Sequence, residues 1–258
     1  MFLEHTHYHE NNSIAWITLN RPQVLNALNK KLWREIYETL DHAEKNENVR
    51  AIILTGAGRA FSSGDDIKEV LNLETPEEVK AFFFNHVTPA FIKVLSLPKP
   101  VVAAVNGLAY GGGCEIVMLC DLVVASSDAT FAVPEALIGV IPPIAAVIGP
   151  CIVGKLNISK MMMTGHPLDA EEAQAIGLVN KVVPSGELMN AAEEMAKSTI
   201  RAAPHSVGVM KKLLNKKVER ELRQSMNELT KILQTEEGHE GHRAFVEKGL
   251  PKWARAKP

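Results

Sequence analysis

Over the first two-thirds of the chain, short apolar runs rich in β-branched residues alternate with stretches whose apolar residues return every three or four positions. The first pattern suits buried strands and the second amphipathic helices. Residues 13–19 read as a strand that Asn20-Arg21-Pro22 ends. Asn29 is placed to cap a helix from Lys30 to about Asn46, with Leu32, Ile36, Leu40 and Ala43 on one face. Residues 49–55 are too few for a helix and read as a buried strand ending in Gly56-Ala57-Gly58. A polar glycine loop, Phe61 to Lys68, follows. Thr75-Pro76-Glu77-Glu78 opens a helix with Thr at the cap and Pro at the first helical position. That helix is predicted to reach about Leu97, distorted at Pro89. Pro98-Lys99-Pro100 then forces extended backbone into a strand at 101–105.

Residues 121–125 and 130–133 are predicted as short strands. From Pro142 the pattern turns mostly helical. A capped short helix covers Leu168-Asp169-Ala170-Glu171-Glu172-Ala173, Gly177 stops it, and 178–183 is strand-like. Further helices are predicted over roughly 185–201, 205–216, 219–235 and 237–247. Alternating strands and helices with right-handed crossovers give stacked βαβ-type units with ligand loops at strand ends. No low-complexity linker divides the chain, so the helical part is expected to pack on the first part or on neighbouring subunits.

Composition narrows the class. A chain of 258 residues, 46% hydrophobic and 22% charged, is ordinary for a soluble globular protein with a large core. A net charge of −2 gives no general attraction to nucleic acid or an anionic membrane. Cys114, Cys120 and Cys151 lie in apolar contexts without CxxC spacing and read as small buried hydrophobes in a reducing compartment. No segment has the length of a membrane span, and Met1-Phe2-Leu3-Glu4-His5 lacks the regions of a signal peptide. A cytoplasmic protein is expected. His5, His7 and His9 alternate in a predicted first strand, where a solvated face accounts for them without a metal.

The chemistry concentrates in residues 101–135. A β-like run leads to Tyr110-Gly111-Gly112-Gly113, then to an apolar helix, Ile116-Val117-Met118-Leu119-Cys120. A lone triple glycine is more often a tight turn, and the spacing is not that of a dinucleotide loop. Between a strand and a helix, however, such a turn aims backbone N–H groups at a negative oxygen. Ser63-Gly64-Asp65 follows the preceding strand as Gly111-Gly112 follows the central one, so two turns on neighbouring strands can offer two donors to one carbonyl. Glu115 and Glu135 both sit among apolar neighbours. A buried carboxylate is costly unless paired or protonated, and two such groups can hold different protonation states, one as base and one as acid.

At this point the residues resemble the enoyl-CoA hydratase/isomerase (crotonase) superfamily. The resemblance rests on Asn20-Arg21-Pro22 with Asn26-Ala27-Leu28-Asn29, on Ala60 to Ile67, on Pro100 to Asp121, on Pro134-Glu135, and on Gly177-Leu178-Val179, in that order and over nearly the whole chain. It implies an α/β fold: a crotonase-like spiral of ββα turns over 1–200 and a helical C-terminal trimerisation region over 201–258. It implies an acyl-CoA thioester substrate held in a bent conformation, a homotrimer or a dimer of trimers, and no metal or redox cofactor, CoA being part of the substrate. The oxyanion donors would be the N–H groups of Asp65 and Gly112. CoA would lie against Ala27, Ser63, Asp65, Asp66, Ile67, Lys68 and Gly112, its adenine end near Ala27 and residues 65–68. Glu115 and Glu135 match the two hydratase carboxylates. They would hold a water between them, Glu115 activating it to attack C3 and Glu135 delivering a proton to C2.

Two departures bear on that expectation. Many members carry Ala at the position of Asp65, so its carboxylate is expected to face solvent or to pair locally, for instance with Lys68. Ordinary hydratases also have a glycine-rich turn where this chain has Gly139-Val140-Ile141-Pro142-Pro143-Ile144-Ala145-Ala146. The glycine matching Pro143 can offer an N–H to the catalytic water, which proline cannot. Pro142 and Pro143 thus wall the water site, as in hydratases of cyclic dienoyl-CoA thioesters such as cyclohexa-1,5-diene-1-carbonyl-CoA. Equally, they form a rigid helix start. An enoyl-CoA isomerase is the rival reaction, and retention of both carboxylates favours hydration. A non-catalytic acyl-CoA- or RNA-binding member is the rival of another class, resting on Lys211-Lys212 and Lys216-Lys217 alone. Those pairs read as a solvated face or as partners of a CoA phosphate.

Overall fold

The apolar runs become strands of two unequal sheets. The computed structural model describes residues 3–255, so Met1 and Phe2 of the N-terminal stretch and the last three residues of the C-terminal region lie outside the described residues. The chain starts as a hairpin, β1 (Thr6–Asn11) and β2 (Ile14–Leu19), and continues into α1 (Lys30–Lys45). Asn29 Oδ1 accepts the Leu32 N–H at 2.9 Å and so caps α1. Leu32, Ile36, Leu40 and Ala43 of α1 are fully buried, as their spacing requires.

A unit of long strand, short strand and helix then repeats. Its first turn is β3 (Ala51–Gly56), β4 (Ala60–Ser62) and the helices α2 (Ile67–Leu71), α3 (Pro76–Phe82) and α4 (Thr88–Ser96). The second is β5 (Val101–Val105), β6 (Leu108–Tyr110) and α5 (Gly112–Leu119). The third is β7 (Leu122–Ser126), β8 (Thr130–Ala132) and α6 (Pro143–Ile152). The remainder is α7 (Lys155–Thr164), β9 (Leu168–Asp169), α8 (Ala170–Ala175), β10 (Lys181–Val183), α9 (Leu188–Ile200), α10 (Pro204–Leu214), α11 (Val218–Ile232) and α12 (Glu236–Val246).

The long strands form a six-stranded sheet in the order β1-β2-β3-β5-β7-β10, parallel from β2 onward. Both faces are buried from β2 to β7, which explains the uninterrupted apolar runs of those strands. One face packs on α9 through Leu188, Ala191, Ala192 and Ala196; the other packs into the main core with α1 and α4. The short strands form a second sheet, β4-β6-β8-β9. This is the spiral of ββα turns that the resemblance implies. In the C-terminal part, α11 packs on α6, and α12 packs on α2 and on the 3₁₀ turn Glu135–Ile138.

Some elements differ from expectation for identifiable reasons. The helix from Pro76 is interrupted by a π turn at Phe83–Val87, where the Thr88 N–H reaches Phe83 O. Pro89 has no N–H for Asn85, so the backbone widens one turn before it. Leu168–Asp169 is strand, and Asp169 caps a helix that starts only at Ala170. Of the three cysteines only Cys114 is fully buried; Cys120 is part-exposed, and Cys151 is exposed because it lies on the outer side of α6. Lys211 does not face solvent. It is 4% exposed, with Nζ 2.6 Å from Asp121 Oδ2, and so ties α10 to the end of α5. Lys216 and Lys217 lie in the turn after α10 rather than on a helix.

Candidate active site

β4 and β6 are parallel neighbours in the small sheet, and each ends in a glycine turn. The turns therefore follow these short strands and not the long β3 and β5, as the apolar runs alone suggested. Gly64 (φ +89°) and Gly111 (φ +53°) bend the chain where a side chain is strained. The turns also touch. A Cβ on Gly64 would stand 2.9 Å from Tyr110 O and 3.2 Å from Gly112 N, and one on Gly113 would stand 2.5 Å from Ser62 O.

The loop before α1 clamps the first turn. Leu28 N–H donates to Gly64 O at 2.8 Å and Asp66 N–H donates to Leu28 O at 3.1 Å. Buried Asn26 donates to Ala57 O and Ala60 O at 2.9 and 2.8 Å and accepts the Arg21 N–H at 2.8 Å. These bonds give Asn26 its structural reason and place the Asn26-Ala27-Leu28-Asn29 segment against the turn.

Gly112 opens α5, so its N–H has no acceptor within the helix. The Asp65 N–H donates to no backbone acceptor among the described residues. Both residues line one cavity of about 460 Å³, together with Ser63, Ile67, Glu115, Glu135 and Pro143. The walls are largely apolar, with Phe83, Phe91, Ile141, Met226, Leu229 and Phe245. The last three come from α11 and α12, and reasoning from sequence did not identify them.

The two glutamates are held differently. Glu115 is 3% exposed, and its Oε1 accepts the N–H groups of Ile144 and Ala145 at 2.7 and 3.0 Å. It thereby satisfies the start of α6, where negative charge is favoured. Burial pushes its carboxyl up to about 8; the two N–H groups oppose that, and the Asp65 charge adds to it. Glu135 sits at the start of its 3₁₀ turn, and its Oε2 is sealed from solvent without a hydrogen-bond partner among the described residues. Burial, then the Glu115 charge, holds the Glu135 carboxyl well above the usual range. Its Oε1 would lie only 3.1 Å from a Cβ on Gly111, so glycine there makes room for it.

Asp65 corrects a sequence expectation. Its carboxyl neither faces away nor pairs with Lys68, which is exposed. Its Oδ1 accepts the indole N–H of Trp33 at 2.8 Å, and burial pushes the group up to about 7. Trp33 lies fully buried on α1, edge-on to Phe91 at 4.9 Å. No sequence signal linked it to the site.

Ala27, Asp66, Lys68 and Pro142 do not line the cavity. Arg21 occupies two of them, donating to Ala27 O and pairing with Asp66 Oδ2 at 3.1 Å. Pro142 and Pro143 form the N-cap and first residue of α6, the rigid helix start. Pro143 also faces the cavity, so the two readings of this turn coexist. His5 approaches Asn29 and His9 stacks on Trp16; no group of three or more potential metal ligands occurs among the described residues.

The sequence matches the enoyl-CoA hydratase/isomerase family over residues 9–256. It is 37% identical over 241 residues to the short-chain-enoyl-CoA hydratase of Clostridium acetobutylicum, covering 91% of this chain and 92% of that one. It is 35% identical over 260 residues to the carnitinyl-CoA dehydratase of Escherichia coli K12, covering 97% and 98%. Among solved structures, an enoyl-CoA hydratase/isomerase from Pseudoalteromonas atlantica superposes with a TM-score of 0.86 at 29% identity, over 97% of this chain and all of that one. The spiral core and its helical C-terminal part are thus the crotonase fold, and the chain belongs to the enoyl-CoA hydratase/isomerase family.

Proposed function

We propose that this enzyme reversibly adds water across the 2,3 double bond of a 2-enoyl-CoA thioester. The observation that carries the reading is the asymmetry of the two glutamates in one cavity. Glu115 is anchored by two N–H donors, which oppose the effect of burial and make it the readier of the two to ionise. Glu135 has an unpartnered buried oxygen, which favours its neutral form. Glu115 then takes a proton from the attacking water as its oxygen bonds to C3. The electrons of the double bond move toward the thioester oxygen, which the Asp65 and Gly112 amides receive. Each such donor is worth about 3–4 kcal/mol in a transition state. Glu135 gives its proton to C2, and proton exchange between the carboxyls resets the site.

CoA is part of the substrate, and the chemistry asks for no further cofactor. Ser63, Ile67 and the Asp65 and Gly112 backbone serve the thioester end. Ala27, Asp66 and Lys68, which do not line the cavity, would meet the adenine end. The exposed apolar residues of the C-terminal helices, among them Leu213 (65% exposed) and Leu214 (82% exposed), suit a homotrimer or a dimer of trimers. Three free cysteines suit a reducing, cytoplasmic setting, and among the described residues no helix is long and apolar enough to cross a membrane.

Pro143 favours a second reading within the same chemistry. It removes an N–H from the cavity wall, and Ile141 adds apolar surface beside it. That wall suits the ring of a cyclic dienoyl-CoA. The test is incubation with crotonyl-CoA and, separately, with cyclohexa-1,5-diene-1-carbonyl-CoA, following loss of the conjugated thioester absorbance. Loss with crotonyl-CoA supports the general hydratase, and loss with the diene alone supports the second reading. Loss with neither, beside isomerisation of a 3-enoyl-CoA, overturns hydration.

A further inference from the structure

A backbone N–H needs no particular side chain, yet this chain places a carboxyl at that donor position. The placement is structured. Trp33 Nε1–H can only donate, so Asp65 Oδ1, at 2.8 Å, must accept. When the carboxyl is neutral, the carbonyl oxygen is the better acceptor for that N–H, which favours the proton on Oδ2. That oxygen lies beside the second donor residue, 3.6 Å from where a Cβ on Gly112 would stand. It makes no hydrogen bond to the protein among the described residues, and Asp65 is on the cavity wall.

Among the described residues, the titratable groups that act on Asp65 are all carboxyls: Asp66 and Glu69 from its own loop and from α2, Glu115 from α5, and Glu135, whose proton burial retains, from the 3₁₀ turn. The nearby cations are not available: Arg21 is held by Asp66 and Ala27 O, and Lys68 is exposed to solvent. Among the described residues, the Trp33 indole N–H alone favours the anion. A carboxyl in such surroundings holds its proton up to about pH 7, and below that it can donate it in a hydrogen bond.

We propose that the neutral Asp65 carboxyl is a third donor to the thioester oxygen, its Oδ2–H acting beside the amides of Asp65 and Gly112. The inference rests on the acyl-CoA reading above. It makes the oxyanion site conditional on protonation. With Asp65 neutral, three donors meet the developing enolate; with Asp65 ionised, one donor is lost and a negative charge faces the enolate. Activity then falls on the alkaline side as Asp65 loses its proton.

The experiment compares wild type with Asp65→Ala, Asp65→Asn and Trp33→Phe. Asp65→Asn preserves volume, an acceptor for Trp33 and a donor that does not titrate, so it guards against simple misfolding. Asp65→Ala is expected to lower kcat on the order of tenfold at pH 6 with little change in KM, the scale of losing one oxyanion donor in part. Asp65→Asn is expected to lose severalfold less, and both variants should lack the Asp65 limb of the pH profile. Trp33→Phe removes the bond that favours the anion, so that limb should move to higher pH. A purely structural role would not move it in that direction.

Acetoacetyl-CoA supplies a readout without turnover, because its bound enolate absorbs in the near ultraviolet. Asp65→Ala should bind it with a smaller enolate fraction than wild type. Binding with an equal enolate fraction, or wild-type kcat and pH profile in Asp65→Ala, overturns the third donor and leaves the acyl-CoA reading standing. Failure of the wild type to bind any acyl-CoA overturns both.

Discussion

The six-stranded and four-stranded sheets divide the labour of the molecule. Each long strand from β2 to β7 is buried along nearly its whole length and carries β-branched or small apolar residues. The short strands β4, β6 and β8 have three residues each, and each leads directly into Asp65, Gly112 or Glu135. The large sheet supplies burial, and the small one supplies position. Strand length follows from those duties, because a site must open where pairing stops and backbone donors become free.

The difference can be broken chemically in the small sheet. Glu115→Gln or Glu135→Gln should leave the fold intact and lower hydration by about two to four orders of magnitude, the scale of general acid–base catalysis. Circular dichroism with single-turnover rates checks this; near-wild-type rates in both variants would remove the paired-carboxylate mechanism. The large sheet should respond in the opposite sense. Leu54→Ala, at a fully buried site on β3, should cost about 2–5 kcal/mol of stability while the folded fraction keeps its kcat. Denaturant titration and active-site-normalised rates measure the two quantities separately.

Titration sharpens the contrast. Glu115 and Glu135 bind their protons more tightly in the folded chain than at the ordinary value of 4.5. Their contribution to stability is therefore full below about 4.5 and is lost as pH rises toward the folded-state values. Thermal stability should decline between pH 5 and pH 8, and Glu135→Gln should flatten that decline by removing one proton-linked group. An unchanged slope would mean that Glu135 is ionised at neutral pH. The smallest effect expected is that of Pro143→Gly. It restores an N–H at the cavity wall but frees the start of α6, at a cost of under about 1 kcal/mol. A severalfold gain with crotonyl-CoA would tie the proline to the water site, and no gain would leave it a helix-start residue alone.

The same division governs what could be read from the sequence. Long strands announce themselves by apolar runs, and caps such as Asn29 and Thr75 by residue type. Strands of three residues carry no periodicity, so β4 and β6 merged into their neighbours and the two turns were assigned to the wrong strands. The carboxylates stood out because charge among apolar neighbours demands a reason. Their inequality did not, since it depends on the Ile144 and Ala145 amides, which lie 29 and 30 residues from Glu115. The inward turn of Asp65 was hidden for the same cause: its partner, Trp33, reads as an ordinary core position on an amphipathic helix. Ion pairs such as Lys211 with Asp121, 90 residues apart, are likewise invisible to local pattern.

The Trp33–Asp65 contact also makes the site optically self-reporting. The chain has three tryptophans: Trp16 on β2, Trp253 near the C-terminus at 45% exposure, and Trp33 against the Asp65 carboxyl. An indole hydrogen-bonded to a titrating group changes its emission when that group changes charge. A protein carrying Trp16→Phe and Trp253→Phe would hold a single fluorophore bonded to a carboxyl of the cavity wall. Its intensity would follow proton loss from Asp65 and arrival of an acyl thioester in real time, with no dye or label attached.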